Sequence, residues 1–298
     1  MSTVQPLTES HEATTEKADL PVALAAVLLV GLLAALYWKI FAGMTAQWWD
    51  DPNYSHGFLV PLFSLYLVWQ LRAHLRPLPR TGNILGLPVI VGGMGMLLLG
   101  DLGAENFLMR SSFIVILAGL ILFHLGTAVF RAVLFPLGFL FFMVPLPSVL
   151  FYAVTFPLQR LAAEQAAWTL DALGIPVLLD GNIIHLAQIS LGVTEACSGI
   201  RSLISLFAGA VAWAYLLLPA GWWVRVAFVA ATVPITIFAN AARVVLTGLI
   251  GKQFGVEYAS GFFHEFAGWA IYLFAFACLL GLHALVCLIT SRRRPGAS

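Results

Sequence analysis

The sequence predicts an all-α polytopic membrane protein, and three observations carry that prediction. Hydrophobic residues fill 61% of its 298 positions and charged residues only 10%, against roughly a quarter charged in a soluble domain. The apolar residues fall in runs close to the roughly 20 that cross a bilayer. The unusual polar chemistry collects at the edges of those runs. A net charge of +1, with no basic patch interleaved with aromatics, offers nothing to a nucleic-acid partner.

Eight stretches read as spans: about 20–42, 57–72, 84–101, 112–129, 131–147, 200–218, 222–249 and 265–290. The first follows a polar, acidic MSTVQPLTESHEATTEKADL. It is too long for a signal-peptide core and lacks an A-x-A exit, so it reads as a retained helix. Residues 1–19 are then a disordered cytoplasmic N-terminus, 20–290 a transmembrane domain and 291–298 a basic cytoplasmic tail. The fourth and fifth spans are parted only at Phe130-Arg131. An N-terminus in the cytoplasm puts Lys17, Arg72, Arg76, Arg80, Arg131, Arg225 and the terminal arginines on the inner side. Fewer basic residues then face outward, as expected for short loops.

Between the fifth and sixth spans, residues 148–173 carry apolar residues near helical spacing on one side and Gln159, Arg160, Glu164 and Gln165 on the other. This pattern predicts an interfacial helix on the outer face, kinked at Pro157, with a short re-entrant segment as the other reading. After Gly174, PVLLDGNIIHLAQISLGVTEA is rich in β-branched residues around Asp180-Gly181. That predicts a small β-hairpin on the same face, delivering Cys197 to the mouth of the sixth span.

The predicted topology brings four stretches to the outer side: QWWDDPNYSHGF (47–58), the 148–199 region ending in VTEACSG, FANAARVVLTGLIG (238–251) and SGFFHEFAGW (260–269). In VTEACSGIRSL, Cys197 sits at a helix start with Ser198 as cap, where unpaired amides favour the thiolate. Arg201, at i+4, would share its helical face, and Glu195 opposes or pairs with Arg201. Buried packing is the other reading of a free cysteine. Cys278 and Cys287, nine positions apart in one helix, are about 13 Å apart along its axis and cannot bridge. Cys197 is thus left as a lone thiol, a candidate nucleophile.

Arg243 interrupts an apolar run with Asn240 at i−3 on the same face. An arginine in a span costs at least about 2.5–3.5 kcal/mol. Two readings stand, an inward-facing functional group or a side chain reaching to the interface. His264 heads the last span with Gly268 one turn on; it is either an interfacial histidine or a base near neutrality. With Cys197 and Arg243 it completes a nucleophile, a base and an anion stabiliser. Trp48, Trp49 and Tyr54 fit an aromatic belt, whereas Asn53 and His56 are candidates for holding a peptide or ordering that face. No His, Cys or acidic pair has metal-site spacing, and no metal or cofactor is expected.

WWDDPNYSHGFLVP, VTEACSGIRSL, NAARV and FFHEFAGW, in that order, resemble the exosortases, bacterial inner-membrane enzymes related to archaeosortases. The resemblance implies that 20–290 is an exosortase-like domain working on the periplasmic face. Its partners would be membrane-anchored proteins with C-terminal sorting signals of the PEP-CTERM type, the lipid bilayer and an unknown acceptor, often alongside exopolysaccharide production. It also implies that Cys197 is the thioester-forming nucleophile, with Arg243 and His264 as the other catalytic residues. Two rivals without thiol chemistry are an envelope glycan ligase or polymerase and a transporter.

Overall fold

A computed structural model describes residues 13–187, 189–194, 197–255 and 262–292, with backbone alone for 13–23, 262–265, 291 and 292. In lipid every backbone amide must be satisfied within its own segment, so the apolar runs form helices. In chain order these are α1 (Ala13–Asp50), α2 (Leu59–Gln70), α3 (Arg72–Leu75), α4 (Gly86–Leu102), α5 (Asn106–Phe139) and α6 (Ser148–Ala172). Strands β1 (Val177–Asp180), β2 (Ile183–Leu186) and β3 (Ser190–Gly192) follow. The chain then forms α7 (Ile200–Leu216), α8 (Trp222–Ala230), α9 (Thr232–Phe254) and α10 (Phe262–Arg292).

Among the described residues, four stretches are long and apolar enough to cross a membrane: Leu24–Asp50, Asn106–Met143, Trp222–Phe254 and Phe266–Thr290. Gly86–Leu102 and Ile200–Leu216 are shorter apolar helices. The expected spans at 112–129 and 131–147 both fall within Asn106–Met143, where α5 is two helical segments joined across a kink. Its break falls at Gly126 (φ 83°, ψ 177°), not at Phe130-Arg131. The expected span 57–72 contains α2, only 12 residues long. The first helix also starts earlier than residue 20, at Ala13.

The chain divides into two units. The first comprises Met1–Gln47 and Leu67–Phe141. Its centre is the α4–α5 hairpin, where Gly86, Gly93 and Gly100 repeat every seven residues along α4 and let the two backbones meet. A Cβ at Gly93 would stand 2.6 Å from Ile116 Cγ1, and one at Gly100 2.7 Å from Met109 Cγ. A Cβ at Gly126 would collide with the Thr81 carbonyl, so docking of the preceding linker fixes the break. Asn83 secures the same place, donating through Nδ2 to Thr127 Oγ1 at 2.9 Å. α1 joins through buried Tyr37, whose hydroxyl meets Ser112 Oγ at 2.7 Å and whose ring packs edge-on against Phe113.

The second unit comprises Trp48–Tyr66 and Phe142–Ser298. One core packs Leu206, Ala210 and Ala214 of α7 and Phe228 of α8 against Ala239 of α9 and Ala275 and Leu279 of α10. A second core packs Ala162, Ala163, Ala166 and Leu170 of α6 against the sheet and Val244 and Val245 of α9. α6 is one helix of 25 residues with Pro157 inside it. The expected two-stranded hairpin is an antiparallel sheet of order β1-β2-β3. β3, three residues long, is too short to carry a sequence period.

Candidate active site

The sheet brings the chain to Cys197. β1 and β2 join through Gly181 (φ 61°) and Asn182. The Val193 N–H donates to the Asn182 carbonyl at 2.8 Å, and Asn182 Nδ2 donates back to the Val193 carbonyl at 2.9 Å. Ile184, Leu186, Ile189 and Val193 are buried in the α6–α9 core, and Cys197 packs against the same cluster. The Cys197 N–H then donates to the Thr194 carbonyl at 2.9 Å, closing a turn.

Gly199 enters α7 as its N-cap at φ 81°, ψ −1°, a left-handed conformation that favours glycine. Ser198 is therefore not the cap. It is buried, and its Oγ accepts the Ile200 N–H at 3.2 Å. Cys197 stands two residues ahead of the cap. The expectation that Arg201 shares a helical face with it corrects accordingly: Arg201 lies in the first turn of α7 and is exposed.

Asn240 of α9 locks this turn. Its side chain, 4% exposed, donates through Nδ2 to the Cys197 carbonyl at 2.6 Å. It also fills the space beside Gly199, where a Cβ would lie 3.0 Å from both Cβ and Cγ of Asn240. Arg243, one turn further along α9, is within electrostatic range of Cys197 and of Arg201. Its guanidinium lies against α10: a Cβ at Gly268 would stand 3.4 Å from Arg243 Nη2. On the helix repeat, His264 precedes Gly268 by one turn of α10 on the same face. The His264 side chain and all of Glu195 lie outside the described residues. Cys197, Asn240 and Arg243 are thus gathered from α9 and the lead-in to α7.

The 47–58 stretch is anchored within the second unit from Trp48 onward. Trp48 is 5% exposed and its Nε1–H donates to the Met143 carbonyl at 2.9 Å. It is therefore not the belt residue expected, whereas Trp49 is 81% exposed. Gly57 lies so close under Trp48 that a Cβ there would strike the indole. His56 Nε2–H donates to the Phe142 carbonyl at 3.2 Å, and burial pushes its imidazole below the usual histidine range. Asn53 is buried, and its N–H donates to Asp51 Oδ1 at 2.9 Å. His56 holds the loop against the segment that leads into α6, and Asn53 closes a turn within the loop.

Asn182 is a site-building residue that the sequence reading does not single out; the Asp-Gly-Asn turn is the signal for it.

Helices long enough to span a bilayer, with Cys197, a buried amide and a guanidinium gathered from the lead-in to α7 and from α9, define a polytopic membrane protein with a built polar site. Residues 48–281 match the family model described as transmembrane exosortase (Exosortase_EpsH), and the chain belongs to that family. No curated protein and no solved structure matches it. Membership makes it a multi-pass membrane protein of a family of protein-sorting transpeptidases.

Proposed function

We propose that the protein is a cysteine transpeptidase of the bacterial inner membrane. It would cleave C-terminal sorting signals of the PEP-CTERM kind at the periplasmic face and pass the trimmed protein to an acceptor. In this reading the chain crosses the bilayer eight times, with both termini in the cytoplasm, and the substrate's own helix docks laterally. The observation that carries it is the Asn240 bond to the Cys197 carbonyl at 2.6 Å. It ties the Cys197 main chain to α9 at a residue one helical turn from Arg243.

Cys197 Sγ attacks the scissile carbonyl carbon as its proton passes to His264. The oxyanion is stabilised by Arg243, whose guanidinium keeps its proton under all ordinary conditions. The C–N bond breaks, the leaving amine takes the proton from His264, and a thioester remains on Cys197. An amine, hydroxyl or water then attacks the thioester, giving its proton to His264, and the C–S bond breaks to restore the thiol. Ser198 and Asn240 shape the turn, Glu195 and Arg201 set the charge around the substrate, and Asn53 and His56 order the neighbouring loop.

The test is trapping. A tagged protein ending in a short motif, one helix and a basic tail is incubated with membranes containing this chain. A hydroxylamine-labile adduct on Cys197 is expected. Full processing by Cys197→Ala would overturn the reading, and a wild-type chain that processes no substrate would favour a glycan ligase or a transporter.

A further inference from the structure

In the first unit a cleft of about 230 Å³ opens between α1, the end of α4 and the start of α5. Lys39, Asp101, Asn106 and Arg110 supply its polar lining. Arg110 is 9% exposed and is held by Gln47, donating through Nη1 to Oε1 at 2.7 Å. Among the described residues, neither Lys39 nor Asp101 forms an ion pair; the recorded pair is Arg160–Glu164. Two cations and a carboxylate therefore line one cleft, and Lys39 and Asp101 have no ionic partner among the described residues.

The surroundings are apolar. Lys39 lies within the Leu24–Asp50 stretch that is long enough to span a membrane. Leu36 and Trp38 beside it are exposed, as are Leu98, Leu99 and Leu102 at the end of α4. Charges set among lipid-facing residues are costly without a partner, and basic pockets between membrane helices take lipid headgroups. A phosphodiester suits Lys39 and Arg110, a primary ammonium suits Asp101, and acyl chains suit the exposed leucines.

We infer that this cleft is a headgroup site for an aminophospholipid: the phosphate is held by Lys39 and Arg110, and the ammonium by Asp101. Native mass spectrometry of the full chain in detergent, with equimolar dioleoyl phosphatidylethanolamine, phosphatidylcholine and phosphatidylglycerol, tests it. Phosphatidylethanolamine should be retained over the other two. Lys39→Ala should lower its retention about tenfold, the scale of a lost hydrogen bond to a charged group. Asp101→Asn should bring it down to the phosphatidylglycerol level. Both side chains are exposed, and unchanged melting temperatures would show that the variants fold. Equal retention of the three lipids by the wild-type chain, or an undiminished preference in Asp101→Asn, would overturn the inference. Displacement of the lipid by equimolar soluble phosphoethanolamine would overturn the lipid as source.

Discussion

Replacing Asn240 by alanine tests how the thiol is held. The variant deletes a 2.6 Å bond to the Cys197 carbonyl and the side chain that packs on Gly199. Leaving a buried acceptor without its donor costs about 1–3 kcal/mol. If that energy is drawn from the ordered Cys197–Gly199 turn, thioester formation should slow by about 5- to 150-fold, at about 1.4 kcal/mol per factor of ten. Gly199→Ala strikes the same turn from the other side. It places a Cβ 3.0 Å from Asn240 at a positive φ that costs about 1–2 kcal/mol for a non-glycine residue. The two changes share one contact, so the double variant should lose less than the sum of the singles. The assay is single-turnover accumulation of the hydroxylamine-labile adduct, with the iodoacetamide alkylation rate of Cys197 read in parallel. Additive losses, or an Asn240→Ala protein with both rates unchanged, would refute the reasoning.

Arg243→Ala should slow thioester formation by about 10²–10³, the cost of losing one oxyanion donor, while substrate still co-purifies; equal single-turnover rates would count against Arg243 as stabiliser. Gly126→Ala combines a positive φ with a collision at the Thr81 carbonyl. It should lower the melting temperature by at least about 4 °C, whereas Gly138→Ala, with nothing within 4 Å of its Cβ, should not. His56 is held neutral by burial, below an unfolded value of about 6.5. Its contribution to stability is therefore present above that pH and is lost as the pH falls through it toward the folded value. Melting curves from pH 7.5 to 5 should show a steeper acid loss for the wild-type chain than for His56→Gln.

The membrane character of the fold was plain from composition and run length, because lipid leaves an apolar segment few options besides the helix. The break in α5 was misplaced because its cause is tertiary. Arg131 is a visible charge, but Gly126 bends only because the linker at Thr81 docks there. In the same way, Asn240 and Arg243 stood out as polar residues in an apolar run, and their spacing put them on one stripe of α9. Nothing in the sequence said that Asn240 would reach a main-chain carbonyl 43 positions away. The cap reading falls on Ser198 because cap preference favours the hydroxyl, whereas the turn ahead of α7 needs the positive φ of Gly199. Trp48 read as a belt residue because burial, unlike amphipathicity, depends on what packs above it. Here that includes Gly57.

The reciprocal bonds between Asn182 and Val193 have an evolutionary and practical corollary. Hairpin tips are ordinarily where chains accept insertions and tags. In this protein the tip is strapped to a residue four places before the sulfur, so lengthening it would drag the nucleophile out of line. Epitopes and fluorophores belong elsewhere on the molecule, and related chains should vary in their loops while keeping this turn at constant length.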